Sequence, residues 1–352
     1  MSTLIIPAAG RSSRFPNMKP KWMLTHPDGK LMIEKAISGL PLKSFDRIII
    51  TILKEYAKNH EARTILEQVF KAAKLKIEVL ELAAPTTSQS ETVLQTLVKK
   101  HVTGPFVVKD SDNYVEIKSI PSSEFVVGLD INKTDKEITR LKSKSFLVVN
   151  NQNIIVDIVE KRITSENICI GVYAFESRRK FEQAYYALFK NGKKGELYLS
   201  HVISYLIGTG KSVYSYVEAK DYEDWGTMED WKLTQQRHST YFIDVDGILL
   251  KNQGKYGKKN WSNHLPIIEE NIATVQKLSQ KGAQIILTTS RGEEHLSALK
   301  KLLKKRKILV HAYITGCNHA PRIIINDFAP TNPYPSCKAV NVPRNGLLDT
   351  YL

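Results

Sequence analysis

The chain has 352 residues, 42% hydrophobic and 25% charged, a soluble-type composition long enough for two domains, since single cores stop growing at roughly 250–300 residues. No apolar run approaches the roughly 20 residues that span a bilayer, and the N-terminus lacks a secretory signal, so a cytoplasmic protein with no membrane span is expected. The net charge of +15 suits a surface that gathers small polyanions or nucleic acid, but no nucleic-acid motif of recognisable spacing accompanies it, so nucleic acid is not the expected partner.

In chain order, Leu4, Ile5 and Ile6 form a buried-type strand that breaks at Ala8 and Ala9 into Gly10-Arg11-Ser12-Ser13-Arg14. Small side chains let backbone N–H groups approach anionic oxygens, and Arg11 and Arg14 offer planar forks for phosphate. Lys19 and Lys21 flank Pro20 just downstream. An amphipathic helix over 31–40, a strand over 45–53, a helix over 60–73 and a strand over 76–82 follow, an alternation that predicts a mainly parallel sheet with ligands at the carboxyl ends of its strands. The polar loop 85–93 enters a helix with Ser88 or Ser90 as its N-cap, and Gln89 there offers an amide with donor and acceptor edges. The strand over 106–113 ends in Asp110 and Asp112, which on an extended backbone point the same way and could bind a hard divalent cation. Cys169, Cys317 and Cys337 are odd in number and form no C-x-x-C pair, which argues against a disulfide framework and a zinc site.

Several of these stretches carry a resemblance. The A-A-G-x-x-x-R-F of residues 8–15, with Pro20-Lys21 after it, resembles the opening of the sugar-phosphate nucleotidyltransferases. The loop around Gln89 and Ser90, the Asp110–Asp112 strand end, Glu160-Lys161, the Gly171-x-Tyr173-x-Phe175 strand, Glu196 and the Asp224-x-Gly226-Thr227-x-Glu229-Asp230 stretch resemble its later segments in order, across residues 3–235. The resemblance implies nucleotide binding by Ala8, Ala9, Gly10, Arg11, Ser12, Ser13, Gln89 and Ser90, with Gln89 pointing to a pyrimidine triphosphate. It implies Mg²⁺ on Asp112 and Asp224 with Asp110 as the second choice at the strand end, charge stabilisation by Arg14 and Lys21, and acceptor binding by Glu160, Lys161, Gly171 and Glu196. This chain has Arg162 where the family usually has Pro.

After a polar break at 235–239, Tyr241-Phe242-Ile243-Asp244-Val245-Asp246-Gly247 reads as a strand ending in D-x-D-G. Paired carboxylates there can act as nucleophile and acid/base beside a metal. The segment resembles the haloacid-dehalogenase-like phosphatases, with strand 285–291 delivering a hydroxyl from Thr289 in preference to Thr288, and strand 322–327 ending in Asp327. The resemblance implies metal binding by Asp244, Asp246 and Asp327; no Lys precedes the acidic motif, and Arg322 or Arg291 would stand in for it. One helix near 265–281 leaves no room for a separate cap. From Ser239 onward 16 Lys/Arg face 8 Asp/Glu, and residues 299–307 alternate leucine and lysine as an amphipathic helix with a solvated face.

The expected fold is α/β: two Rossmann-like three-layer domains, a nucleotidyltransferase (GT-A-like) domain over 1–236 and a smaller phosphatase-like domain with little or no cap over 239–352. The expected function is bifunctional: nucleotidyl transfer from a nucleoside triphosphate to a sugar or small polyol phosphate with release of pyrophosphate, and Mg²⁺-dependent hydrolysis of phosphate esters. A GT-A glycosyltransferase using Asp110 and Asp112, with a degenerate second domain, and a basic nucleic-acid-binding or scaffold protein are the alternatives.

Overall fold

The computed structural model describes residues 2–16, 18–134, 138–190, 196–252, 261, 266–327 and 336–352. The chain divides into two compact units, Met1–Trp231 and Lys232–Leu352. No described helix is long and apolar enough to cross a membrane.

The first unit runs β1 (Thr3–Pro7), α1 (Met32–Ile37), β2 (Arg47–Leu53), α2 (Lys54–His60), α3 (Ala62–Ala72), β3 (Glu78–Leu82), α4 (Gln89–Lys99), β4 (Phe106–Lys109), β5 (Asn113–Glu116), β6 (Phe125–Asp130), β7 (Ser145–Val149), β8 (Ile154–Glu160), β9 (Asn167–Phe175), α5 (Arg178–Lys190), α6 (Leu199–Gly208), β10 (Tyr214–Glu218) and β11 (Asp221–Asp224), and enters α7 (Met228–Arg237). Among the described residues one sheet has the order β3-β2-β1-β4-β9-β6-β10-β8-β7. β3, β2, β1 and β4 are parallel, as the alternation predicts. β9 then enters antiparallel to both β4 and β6, and β7 and β8 pair antiparallel at the far edge. The sheet is therefore mixed, because the chain after β6 returns through antiparallel strands instead of crossover helices.

The period of two along the strands divides the core into two faces. Leu4, Ile6, Ile48, Ile50 and Ile52 pack with Ile33 and Ile37 of α1 and Leu66 and Phe70 of α3. Ile5 and Ile49 pack with Val93 and Leu97 of α4, Phe181 of α5 and Val202 of α6. The helix expected over 60–73 is α3, and α2 precedes it as a separate helix, with Glu61 at a left-handed φ of 51° between the two. Apart from the large sheet, β5 and β11 form an antiparallel ribbon that sets Asp224 opposite Asn113.

In the second unit, β12 (Thr240–Asp244), α8 (Glu269–Gln280), β13 (Gln284–Thr288), α9 (Ser297–Lys305) and β14 (Val310–Ile314) build a parallel sheet of order β12-β13-β14. Its core holds Ile243, Val245, Ile272, Val275, Ile285, Leu287, Leu299 and Leu303. α9 buries those two leucines and exposes Lys301, Lys304 and Lys305, as its pattern predicts. The polar stretch 235–237 is the last turn of α7, not a break, and the division between units falls inside that helix. The helix expected near 265–281 begins at Glu269, with residue 265 outside the described residues. The strand expected over 322–327 does not form: the segment joins no ladder among the described residues, and Ile323 and Ile325 are 82% and 92% exposed. Its β-branched residues have strand propensity, but that propensity is realised only against a neighbouring strand.

Candidate active site

The carboxyl end of β1 gives way to the basic loop. Ala8 and Ala9 are buried, and the Ala8 N–H donates to Thr51 O at 2.8 Å. Tyr56 Oη donates to the Gly10 carbonyl at 2.8 Å. Ser12 takes a left-handed φ of 50°, and its Oγ accepts the Lys21 N–H at 3.2 Å, which ties the loop to the Pro20-Lys21 segment. A Cβ on Gly10 would meet nothing within 4 Å. Arg11, Ser13 and Arg14 are exposed, and among the described residues neither arginine is held in an ion pair. The loop therefore presents two unneutralised guanidinium groups on an open side, the arrangement that attracts a polyphosphate.

Two carboxylates converge beside it. Trp225 N donates to the Asp112 carbonyl at 2.9 Å, and Gly226 N donates to Asp224 Oδ1 at 3.0 Å, so the β5–β11 ribbon fixes both aspartates at one end. A Cβ on Gly226 would lie 3.1 Å from Asp224 Oδ1 and 3.5 Å from Asp112 Oδ2. Glycine thus leaves a cradle that both carboxylates face. Lys21 pairs with Asp112, and Lys144 pairs with Asp224 while donating to Tyr222 Oη at 3.0 Å. Burial acts to raise the Asp112 carboxyl, but the Lys21 charge and hydrogen bond outweigh it and hold it below the usual range. Arg140, at φ 53°, reaches Asp224 at 3.4 Å and also pairs with Asp230, which accepts Thr139 Oγ1 at 2.6 Å and Thr227 Oγ1 at 2.6 Å. Mg²⁺ is held by one or two carboxylates plus water and phosphate oxygens, and this donor pair fits it.

Asp110 is placed differently from the sequence expectation. β4 ends at Lys109, so Asp110 and Asp112 do not share an extended backbone, and they engage separate partners. Asp110 accepts Gln89 Nε2 at 2.5 Å, and its N–H donates to Gly171 O at 2.9 Å. Gly171 has φ +81°, and a Cβ there would fall on the Asp110 carboxylate and lie 2.7 Å from Asn113 Nδ2. That position demands glycine twice over. Lys109 is fully buried and donates to Asp110 O at 2.7 Å, Asn113 O at 2.9 Å and Asn113 Oδ1, clamping the turn that carries Asp112. Burial raises the Asp110 carboxyl and lowers the Lys109 ammonium.

Ser88 is the N-cap of α4, accepting the Glu91 N–H at 3.2 Å. Ser90 is fully buried, which removes it from the exposed rim: the helical phase set by Ser88 puts residue 90 on the same stripe as Val93, Leu94 and Leu97. Gln89 stays half-buried with its amide toward Asp110.

On the acceptor side, Lys161, at φ 55°, lies 4.1 Å over the Tyr198 ring and donates to Tyr198 Oη at 2.5 Å, while Tyr198 Oη donates to Glu196 Oε2 at 2.7 Å. Glu160 accepts Ser145 Oγ at 2.5 Å and Ser200 Oγ at 2.6 Å. Lys109, Arg140, Lys144 and Tyr198 were not singled out from sequence. Their signal is weak: Lys109 interrupts a β-branched run, whereas Arg140 and Lys144 sit among ordinary surface lysines and serines.

In the second unit, Asp244 stands opposite Thr288 in the ladder, with Thr289 next to it. Burial raises the Asp244 carboxyl against the opposing charge of Arg322, whose Nη2 lies 3.7 Å away. Asp246 is gripped by the buried Arg291, with Nε and Nη2 donating at 2.9 and 2.6 Å. Thr289 Oγ1 is buried and accepts the Arg291 N–H at 3.1 Å. Asp327 lies in the exposed segment that forms no strand, so no β-ladder carries it to Asp244.

No protein-family profile matches the sequence, and no curated protein matches it. Solved structures do match by shape. A nucleoside-diphosphate-sugar pyrophosphorylase from Vibrio cholerae RC9 aligns with a TM-score of 0.56 at 20% identity, covering 66% of this chain and 99% of that one. A UDP-glucose pyrophosphorylase complexed with UDP-glucose aligns at 0.51 and 15%, covering 67% and 97%. The inositol-1-phosphate CTP transferase from T. maritima aligns at 0.50 and 16%, covering 66% and 95%. At these identities the chain shares their fold.

Proposed function

We propose that the first unit transfers a nucleotidyl group from a nucleoside triphosphate to a sugar phosphate or small polyol phosphate. The observation that carries this reading is the convergence of Asp112 and Asp224 on the Gly226 cradle, beside a loop with two unpaired arginines. In the reaction an oxygen of the acceptor's phosphate attacks the α-phosphorus, the bond to the α–β bridging oxygen breaks, and pyrophosphate leaves with that electron pair.

Arg11 and Arg14, with the N–H groups of residues 10–13, would bind the β- and γ-phosphates and offset charge on the leaving group. Lys21, held beside Asp112 by its ion pair and by Ser12, would add its ammonium at the same place. Asp112 and Asp224 would hold Mg²⁺, which when bound neutralises charge on the triphosphate. Gln89 would read the base. Lys161, positioned by Tyr198 and Glu196, would bind the acceptor's phosphate, and Glu160 its hydroxyls. The folds of a CTP transferase and of two pyrophosphorylases agree with this reading. A panel of the four ribonucleoside triphosphates and dTTP with sugar and polyol phosphates, read by pyrophosphate release, tests it; a well-folded protein that releases none with any pair refutes it.

The second unit is proposed as a phosphate-ester hydrolase, with Asp244 as nucleophile, Thr289 near the phosphoryl group and Arg322 as the cation facing Asp244. Hydrolysis would pass through an aspartyl phosphate: Asp244 Oδ attacks phosphorus, the alkoxide leaves, and water then releases phosphate. Asp244→Asn should abolish release of inorganic phosphate from model esters without changing pyrophosphate release. Phosphate release equal to wild type in that variant would remove the assignment.

A further inference from the structure

Gln89 and Asp110 are joined by a contact that the chemistry above does not use. Asp110 is anchored from three sides: its N–H is tied to Gly171 O, its carboxylate fills the space that a Gly171 side chain would take, and its own carbonyl is held by the buried Lys109 ammonium. Its backbone is thereby fixed, and its carboxylate sits against the bare Cα of Gly171. One carboxylate oxygen accepts Gln89 Nε2 at 2.5 Å. An ionised carboxylate only accepts hydrogen bonds, so the amide must keep its nitrogen toward Asp110 and its oxygen away. Among the described residues Gln89 has no other side-chain hydrogen bond, so Oε1 and the second N–H remain for a ligand.

The two common pyrimidines present opposite patterns on the edge an amide can read. Cytosine has a donor at position 4 and an acceptor at N3, whereas uracil has an acceptor at position 4 and a donor at N3. An amide free to flip complements both, by exchanging nitrogen and oxygen; a fixed amide complements one. We infer that Asp110 is a positioning residue that locks the Gln89 amide and makes the nucleotide site select one pyrimidine over the other. This rests on the nucleotidyl-transfer reading of the same site. A flipped amide would set its oxygen against the carboxylate and forfeit a charge-assisted hydrogen bond, so discrimination on the order of ten- to a hundredfold follows.

The test compares kcat/KM for CTP and UTP, with one acceptor and Mg²⁺ at pH 8, in wild type, Asp110→Asn and Gln89→Met. Asparagine keeps the shape of Asp110 but offers a donor or an acceptor, so the amide of Gln89 can turn. Wild type should favour one triphosphate at least about tenfold, in either direction, and that ratio should collapse toward unity in Asp110→Asn. Gln89→Met, on the half-buried first turn of α4, should lose the ratio as well, and it serves as the second reading if Asp110→Asn folds poorly. Equal use of CTP and UTP by wild type, or an undiminished ratio in Gln89→Met or in folded Asp110→Asn, overturns the inference while leaving nucleotidyl transfer standing. Absence of pyrophosphate from every triphosphate overturns the transfer reading instead, and the inference with it.

Discussion

Both units place paired aspartates at or just beyond the end of a strand, yet they treat the rest of the motif in opposite ways. In the first, β11 pairs with β5, and that ladder carries Asp224 across the sequence to sit with Asp112 on the Gly226 cradle. In the second, residues 322–327 join no strand among the described residues, and Asp327 stays on an exposed segment while Arg291 occupies Asp246. A motif supplies the ligand types; a strand pairing supplies their meeting. The first unit has both and the second has the motif with part of the geometry.

The largest effect that would sharpen this contrast is loss of either carboxylate in the first unit. Asp112→Asn and Asp224→Asn should each lower pyrophosphate release by about a thousandfold or more, since each removes half of the charge available to a metal. Both variants should melt within a few degrees of wild type. Lys21→Ala should follow with roughly a hundredfold loss in kcat and little change in KM for the acceptor. A loss confined to acceptor KM would move Lys21 out of the triphosphate site. The smallest effect concerns the support beneath Asp110. Gly171→Ala would force an alanine to φ +81° and drive its Cβ onto the Asp110 carboxylate, a cost of about 1–3 kcal/mol for the backbone alone. Denaturant unfolding should show it, and an unchanged midpoint would mean that β9 relaxes freely there.

Much of the first unit was legible because its signals are local. The run at Leu4–Ile6 and the β-branched strand at 47–53 bury alternate residues on two faces, and period alone gives that. The Asp224-x-Gly226-Thr227 turn was legible for a different reason: its motif resembles a known one, and a Cβ on Gly226 would sit 3.1 Å from the Asp224 carboxylate. Sequence reasoning failed where the outcome depends on a distant partner. The sequence ranks Asp112 above Asp110 but sets both on one extended backbone; β4 ends before them, and Gln89 claims one while Lys21 claims the other. Ser90 looks like loop until Ser88 sets the helical phase. The isoleucines at 323–325 look like a strand, and among the described residues no neighbouring strand takes them.

The central claim is that Asp112 and Asp224 make a single site, joined by the β5–β11 ribbon. A double-mutant cycle measures this directly, with pyrophosphate release followed at high enzyme concentration in Asp112→Asn, Asp224→Asn and the combined variant. Carboxylates that serve one ion act as a unit, so the double variant should be no slower than the worse single variant, within about threefold. Losses that multiply, each substitution costing its full factor in the presence of the other, would show two independent sites and contradict the account.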